Sequence, residues 1–136
     1  MSLSQKSIPV SAALIFRDGR LLIAQRRAES HLGGSWEFPG GKREDGETSE
    51  ECLVREIREE LGVEILVMKL FEEITHEYPE RSVHLKFFIC RILSGEPQPL
   101  GCAAFKWVAK SELADYEFPA ADARLLEKLK TGQIFP

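Results

Sequence analysis

The 136-residue sequence contains little cysteine, no long apolar run and no excess of positive charge. Its cysteines, Cys52, Cys90 and Cys102, are odd in number and lack metal-ligand spacing, which favours a reduced, cytoplasmic protein over a disulfide-linked one. No stretch approaches the roughly 18 consecutive apolar residues of a transmembrane helix, and there is no signal peptide with a basic start and an apolar run. We therefore expect no membrane partner.

The charge balance narrows the class of ligand. With 18 basic and 22 acidic residues, the net charge is −4. A dedicated binder of duplex nucleic acid needs a basic stripe for the phosphate backbone, so the sequence predicts no duplex partner. A small nucleotide remains compatible with this charge, because a metal ion can neutralise its phosphates.

The length is that of one domain with a core of its own. The sequence has no repeats, low-complexity tracts or linkers. We assign residues 8–132 to a single domain and residues 1–7 to a disordered lead-in. Both a monomer and a homodimer are compatible with the sequence.

Extended segments alternate with two helices. Asp18-Gly19 is a two-residue hairpin signal, and Tyr78-Pro79-Glu80-Arg81 is a turn. Pro119 lies near the start of a final helix with an apolar face, which Gly132 ends. The predicted extended segments are Ile8–Phe16, Leu21–Gln25, Trp36–Phe38, Ile65–His76, Val83–Leu93 and Ala104–Val108.

A helix is also predicted over residues 49–61, within the stretch GKREDGETSEECLVREIREELGV (41–63). Thr48 and Glu51 form a capping box at its start. Gly62 is the left-handed residue that typically ends a helix.

Three glutamates share one face of this helix. At about 100° per residue, Glu56, Glu59 and Glu60 fall within an arc of about 100°. Like charges at this spacing destabilise a helix by ~0.2–0.5 kcal/mol per pair. Clustered carboxylates suit a hard divalent cation such as Mg²⁺, with Mn²⁺ as the alternative. The pattern therefore predicts a metal site rather than a merely solvated acidic face.

The full spacing resembles the Nudix box of the Nudix hydrolases, and the flanking segments resemble the MutT-type branch. The box residues are Gly41, Glu47, Arg55, Glu56, Ile57, Glu59, Glu60, Gly62 and Val63. The flanking segments are Arg26-Arg27, His31, Trp36–Lys42, Glu77–Arg81 and Phe118–Asp122. The resemblance, like the element pattern, implies an α/β/α sandwich with a mixed central sheet, the box helix and a C-terminal helix.

The resemblance also implies roles within the box. The Gly40 carbonyl joins Glu56, Glu59 and Glu60 around the metal. Glu47 pairs with Arg55 to brace the loop against the helix. Gly41 and Gly62 have structural roles.

Candidate substrate contacts lie outside the box. Arg26 on the second strand is a candidate phosphate ligand, because a guanidinium matches phosphate geometry. His31 and Arg81 are weaker candidates in the same cleft. Phe38 and Tyr78 are candidates to flank a base, although an aromatic residue is more often part of the core.

Asp122 occupies the position that resembles the base-reading residue of the MutT-type pattern, where Asn is common. An ionised carboxylate only accepts hydrogen bonds. It suits the N–H groups of a guanine edge, the N7–H of 8-oxoguanine or the exocyclic amine of cytosine, and it is repelled by the O6 carbonyl of 8-oxoguanine unless protonated. Alternatively, Asp122 only favours the first turn of the final helix. The sequence therefore leaves the identity of the substrate base open.

Gly101 is a second difference from the MutT-type pattern. MutT-type enzymes tend to carry a further Glu six residues before the Trp of the late strand, and here that position is Gly101. The proton acceptor is then a box glutamate, Glu56 or Glu59, or else Glu44 or Glu77 reaches in.

These observations predict Mg²⁺-dependent hydrolysis of a nucleoside triphosphate to the monophosphate and pyrophosphate, of the 8-oxo-dGTP diphosphatase type. A CTP or dCTP pyrophosphohydrolase is the alternative within the same chemistry. A non-hydrolytic nucleotide-binding module is the alternative from another class.

Overall fold

A computed structural model of the chain describes residues 7–132, so residues 1–6 of the predicted lead-in lie outside it. Ser7, assigned to the lead-in by the sequence, is the first residue of a strand. Two 3₁₀ turns, Lys110–Asp115 and Ala120–Asp122, precede the last helix. The strands and helices are β1 (Ser7–Arg17), β2 (Arg20–Gln25), β3 (Trp36–Glu37), β4 (Gly40–Lys42), α1 (Ser49–Leu61), β5 (Glu64–Glu77), β6 (Ser82–Ser94), β7 (Ala104–Val108) and α2 (Ala123–Thr131).

The strands form one mixed sheet in the order β3-β2-β1-β6-β5, with β4 also paired to β1 and β7 to β2. β1 and β6 run parallel, from the pair Ser7–Ser82 to the pair Ile15–Cys90. The other pairings, including the long β5–β6 hairpin, are antiparallel. The mixed central sheet predicted from the sequence is confirmed.

Both faces of the sheet are buried. Alternate residues of β1 enter two different cores, because successive strand side chains point to opposite faces. Leu14 packs in a core that includes Leu125 and Leu129 of α2. Ile15 packs in a second core with the buried face of α1. We call these the α2-side core and the α1-side core; the two helices cover opposite faces, as in an α/β/α sandwich.

The ends of α1 agree with the prediction. The Thr48 hydroxyl accepts a hydrogen bond from the Glu51 N–H at 3.0 Å, and the Glu51 carboxylate accepts one from the Thr48 N–H at 2.8 Å. Gly62 follows the helix with φ 71°, in the left-handed region. Within residues 7–132, no helix has the length and apolar character needed to cross a membrane.

The predicted hairpin turn is also present. Asp18 and Gly19 have φ 52° and 75°, as a two-residue turn between twisted strands requires. The short strand β4 is absent from the extended segments predicted from the sequence. It forms because residues 40–42 pair with Val10–Ala12 of β1, a contact distant in sequence.

Candidate active site

Two glycines bring the backbone of β4 against α1. A side chain at Gly41 would place its Cβ 2.3 Å from the Glu56 carboxyl carbon. A side chain at Gly40 would place its Cβ 1.9 Å from the Ser11 carbonyl oxygen of β1. At Gly40 only glycine fits, because the obstacle is the backbone of β1. At Gly41 a side chain would have to displace the Glu56 carboxyl, so β4 lies in direct contact with the glutamate face of the helix.

Arg55 links the loop before α1 to the glutamates. Its Nε donates to Glu47 at 2.6 Å and its Nη1 to Glu56 at 3.0 Å and Glu59 at 3.3 Å. A further donation reaches the Lys42 carbonyl at 3.2 Å. The hydrogen bond from Arg55 lowers the pKa of the Glu47 carboxyl to about 2. The predicted pairing of Glu47 with Arg55 is present in the structure, and Arg55 also holds two of the three clustered glutamates.

Glu56 and Glu60 form the inner part of the cluster. Both are partly buried, whereas Glu59 is exposed. Burial raises the pKa of Glu60 to about 9, and the charge of Glu37 and the adjoining carboxyl of Glu56 add to this effect. A hydrogen bond from the Gly40 backbone opposes it. Crowded, desolvated carboxylates of this kind are stabilised by a cation.

The donor set fits a divalent ion, although it is not a closed cage. Across residues 7–132, no three His, Cys, Asp or Glu side chains already stand as a group that would hold a metal. Glu56 and Glu59 instead share Arg55 Nη1. Carboxylate and backbone oxygens are the ligands preferred by Mg²⁺, which keeps several waters and needs few protein ligands.

A cavity of about 350 Å³ opens beside this cluster. It combines the glycine strand β4 with apolar residues of β1 and β6 and with polar groups from three loops. Its lining residues include Arg26, His31, Glu37, Phe38, Gly40, Gly41, Tyr78, Leu85, Phe87, Pro119 and Asp122. A pocket of this size with a few convergent polar groups is typical of a small-molecule site.

Arg26 lies at the cavity with two of its nitrogens already engaged. Nη1 donates to Glu37 at 2.7 Å, and Nε donates to the His31 carbonyl at 2.6 Å. The side chain thereby fixes the loop that carries His31 to strand β3. Nη2 has no hydrogen-bond partner in the part of the chain that is described, so it is available to a ligand.

The aromatic candidates and Arg81 differ in their placement. Phe38 lines the cavity but is buried, stacked on Phe118 with 5.1 Å between ring centroids. Tyr78 also lines the cavity, with its ring edge-on to His76 at 4.6 Å. Arg81 is exposed in the turn after β5 and is not part of the cavity lining. The structure therefore does not bring Arg81 to the site with the other candidates.

Asp122 is 7% exposed and faces the cavity. Burial, assisted by the charge of Glu37, raises the pKa of its carboxyl to about 7. It lies at the N-cap of α2, yet its side chain caps no N–H group. The alternative that Asp122 serves the helix start is thus not supported by a capping hydrogen bond.

Glu37 is a site residue that sequence reasoning missed. The other positions considered for a proton acceptor are not in the cavity. Gly101 packs against α1, where a Cβ would lie 3.1 Å from Glu60 Cα. Glu44 and Glu77 are both exposed and outside the cavity lining. Glu37 lies in the lining instead, and burial raises the pKa of its carboxyl despite Arg26. The available signal was a charged residue between Trp36 and Phe38, where burial requires a partner.

Comparison with known proteins is consistent with this geometry. The NUDIX domain family model matches residues 11–128. CTP pyrophosphohydrolase of Escherichia coli (strain K12) is 41% identical over 122 residues, covering 90% of this chain and 90% of that protein. 8-oxo-dGTP diphosphatase of the same organism is 33% identical over 126 residues, covering 92% and 98%. The solution structure of the E. coli ORF135 protein matches with a TM-score of 0.78 at 40% identity, covering 90% of this chain and 88% of that one.

Proposed function

Because this chain belongs to the Nudix family of hydrolases, we propose that it hydrolyses a nucleoside triphosphate to a nucleoside monophosphate and pyrophosphate with Mg²⁺ as its cofactor. The observation that carries this proposal is the position of the glutamate cluster. Glu56 and Glu60 lie against the glycine strand β4. That strand and Asp122 both line the cavity. Metal-binding and base-reading groups therefore border one space.

Nudix hydrolases use a divalent metal, and we assign its ligands here to Glu56, Glu59, Glu60 and the Gly40 carbonyl. The bound ion supplies charge neutralisation of the phosphates and a lower pKa for the attacking water. Arg55 holds Glu56 and Glu59 in place. Glu56 or Glu59 accepts the proton as the water oxygen bonds to phosphorus. The phosphoanhydride bond between the α- and β-phosphorus breaks in that step, which releases the nucleoside monophosphate and pyrophosphate. The free Nη2 of Arg26 offsets phosphate charge.

We propose 8-oxo-dGTP as the substrate, with Asp122 reading the base. An Asp with a pKa of about 7 is present in both protonation states at neutral pH. In the protonated state it donates one hydrogen bond and accepts another. That pair complements the O6 carbonyl and the N7–H of 8-oxoguanine. The 8-oxo-dGTP diphosphatase relative supports this choice.

A cytosine nucleotide is the second candidate. Asp122 also complements the exocyclic amine of cytosine, and the relative with 41% identity over 90% of this chain is a CTP pyrophosphohydrolase. The apolar cavity walls, including Leu85 and Phe87, suit either base.

Pyrophosphate release from a panel of nucleotides separates the candidates. The panel contains 8-oxo-dGTP, dGTP, CTP, dCTP, 5-methyl-dCTP and ADP-ribose, each with Mg²⁺ and with EDTA. We expect a preference for 8-oxo-dGTP over dGTP that EDTA abolishes. A preference for cytosine nucleotides favours the second candidate. Tight binding by calorimetry without turnover in Mg²⁺ indicates a nucleotide-binding module and contradicts hydrolysis.

Replacing the inner glutamates tests the metal assignment. Glu56→Gln and Glu60→Gln keep the side-chain shape but remove a negative charge. We expect each to lower kcat by at least about a hundredfold, the scale of losing one important electrostatic contact. Glu96→Gln is the matched control, since Glu96 is an exposed partner of Arg17 away from the cavity. Retained activity in both inner variants would overturn the assignment.

A further inference from the structure

A second polar cavity, of about 240 Å³, lies on the α1 side of the sheet. His84 and Lys86 line it, and they alternate along β6 with Leu85 and Phe87, which line the active-site cavity. Because successive strand residues point to opposite faces, the sheet lies between the two spaces, which share Val10 of β1 in their linings. We call this cavity the cationic pocket; its lining is Ser7, Pro9, Val10, Arg43, Ser49, His84 and Lys86.

Ser49 presents a hydroxyl to the cationic pocket that nothing in the described chain satisfies. The residue is 8% exposed. Its carbonyl accepts a hydrogen bond from the Ser11 hydroxyl at 2.9 Å, which anchors its backbone to β1. The Ser49 hydroxyl itself has no hydrogen-bond partner within residues 7–132, although no polar atom there is both fully enclosed and unpaired. The hydroxyl therefore keeps contact with solvent through the cavity that it lines.

The start of α1 adds further donors. Ser49 is the first residue of this 13-residue helix. The first N–H groups of a helix lack intrahelical acceptors, and the aligned peptide dipoles favour an anion there. Thr48 satisfies only the N–H of Glu51. Backbone N–H groups and a hydroxyl at a helix start are the groups that bind phosphate in many proteins.

Two cations complete the lining without partners of their own. Neither the Arg43 guanidinium nor the Lys86 ammonium makes an ion pair with any residue from 7 to 132. Lys86 pairs in register with Glu73 on the neighbouring strand. The Glu73 carboxylate is instead engaged by His84 Nε2 at 2.6 Å. Arg43 and Lys86 are thus the Arg and Lys side chains of the lining, and no Asp or Glu of the described chain is part of it. The nearby carboxylates are Glu73, which is engaged by His84, and Glu50 and Glu51, which are exposed in the first turn of α1 outside the lining.

We propose that the cationic pocket binds a phosphoryl group, held by Arg43, Lys86 and Ser49 at the start of α1. Charge-assisted hydrogen bonds from Arg and Lys to phosphate oxygens are about twice as strong as neutral ones. The group belongs either to free inorganic phosphate or pyrophosphate or to a nucleotide. The site is distinct from the glutamate cluster and does not depend on the proposed hydrolysis.

Amide NMR titrations of the whole chain, in EDTA, test this site. The titrants are orthophosphate, pyrophosphate and a nucleoside monophosphate, each compared with sodium chloride at equal ionic strength. We expect saturable shifts at the amides of Arg43, Ser49 and Lys86. The variant Arg43→Gln/Lys86→Gln is expected to weaken binding by at least about tenfold. Ser49→Ala removes only the hydroxyl and is expected to weaken it about threefold.

A charge-matched variant separates specific binding from general electrostatics. Arg20→Gln/Lys69→Gln removes two positive charges elsewhere on the surface and should leave the affinity unchanged. The tightest titrant identifies the source of the phosphoryl group. Equal affinity in the two double variants overturns the proposal. So do shifts that follow ionic strength alone, or shifts confined to Gly40, Gly41 and Asp122.

Discussion

At the scale of single residues, two carboxyl groups define the active-site cavity. Asp122 is buried and Glu37 is partly buried, and the charge of Glu37 raises the pKa of Asp122 and of Glu60. The Arg26 guanidinium partly neutralises the charge of Glu37, because it donates a hydrogen bond to that carboxyl. Its other hydrogen bond goes to the His31 carbonyl. Asp122 has no such counter-charge in the described structure. Burial and the charge of Glu37 therefore raise the pKa of this carboxyl, and the stability of the protein should depend on pH through it.

Asp122→Asn should stabilise the protein at alkaline pH. The folded pKa of about 7 lies above the ordinary Asp value of about 3.9, so folding favours the protonated form. The associated stability is complete below about pH 3.9 and is lost as the pH rises through about 7. Asn removes this loss, by at most about 4 kcal/mol. Urea unfolding at pH 4 and pH 8 measures it.

The gain in stability should depend on pH. Asp122→Asn should gain stability over the wild type at pH 8 and little at pH 4. The exposed Asp115→Asn variant is the control and should show no such difference. An equal effect of Asp122→Asn at both pH values would show that burial does not govern this carboxyl.

At the scale of elements, the site depends on how closely β4 approaches α1. The two glycines of β4 meet different obstacles. At Gly41 the obstacle is the end of the flexible Glu56 side chain, whereas at Gly40 it is the backbone of β1. A side chain can move aside at little cost, but a paired strand cannot. The two positions therefore separate effects on catalysis from effects on folding.

Gly41→Ala should lower activity with little loss of stability. The added methyl would displace the Glu56 carboxylate from β4, and we expect kcat to fall at least about tenfold. Gly40→Ala should instead destabilise the fold, since its Cβ would overlap the Ser11 carbonyl. Kinetics in Mg²⁺ and thermal unfolding measure the two effects. Full activity of a folded Gly41→Ala protein would mean that this approach does not position Glu56.

At the scale of the whole molecule, one sheet supports a helix and a core on each of its two faces. The α1-side core fixes the helix that carries the glutamates. The α2-side core fixes the apolar walls of the cavity, including Phe38 and Phe87. β1 contributes alternate residues to both cores, so neither face can unfold without disturbing the other.

Replacing a large side chain by alanine in either core should therefore lower the free energy of unfolding by a similar amount. Ile57→Ala in the α1-side core and Leu129→Ala in the α2-side core remove fully buried side chains. Each is expected to cost about 2–5 kcal/mol. Leu93→Ala, at an exposed position, should cost under about 0.5 kcal/mol. We expect a single urea transition for each variant, followed by fluorescence and by circular dichroism. Two separated transitions would contradict coupling through β1.

Local features were largely predictable from the sequence, whereas features built from distant segments were not. The bounds of α1 follow from Thr48, Glu51 and Gly62, which act on adjacent backbone groups. β4 was missed because its strand character comes only from pairing with β1. Arg81 was placed in the cleft by resemblance, but it lies in an exposed turn. Glu37 was missed because its burial depends on strands that meet only in the fold.

The sequence by itself determined the family, the box helix and the clustering of three glutamates on one helix face. Those properties depend on residue types at fixed spacing and on local hydrogen bonds. Only the tertiary structure decided which carboxyls are desolvated, that Arg26 is shared between Glu37 and the His31 loop, and that a cationic pocket lies behind the sheet. Burial and charge proximity arise from packing between segments far apart in the chain, and residue spacing carries no direct record of them.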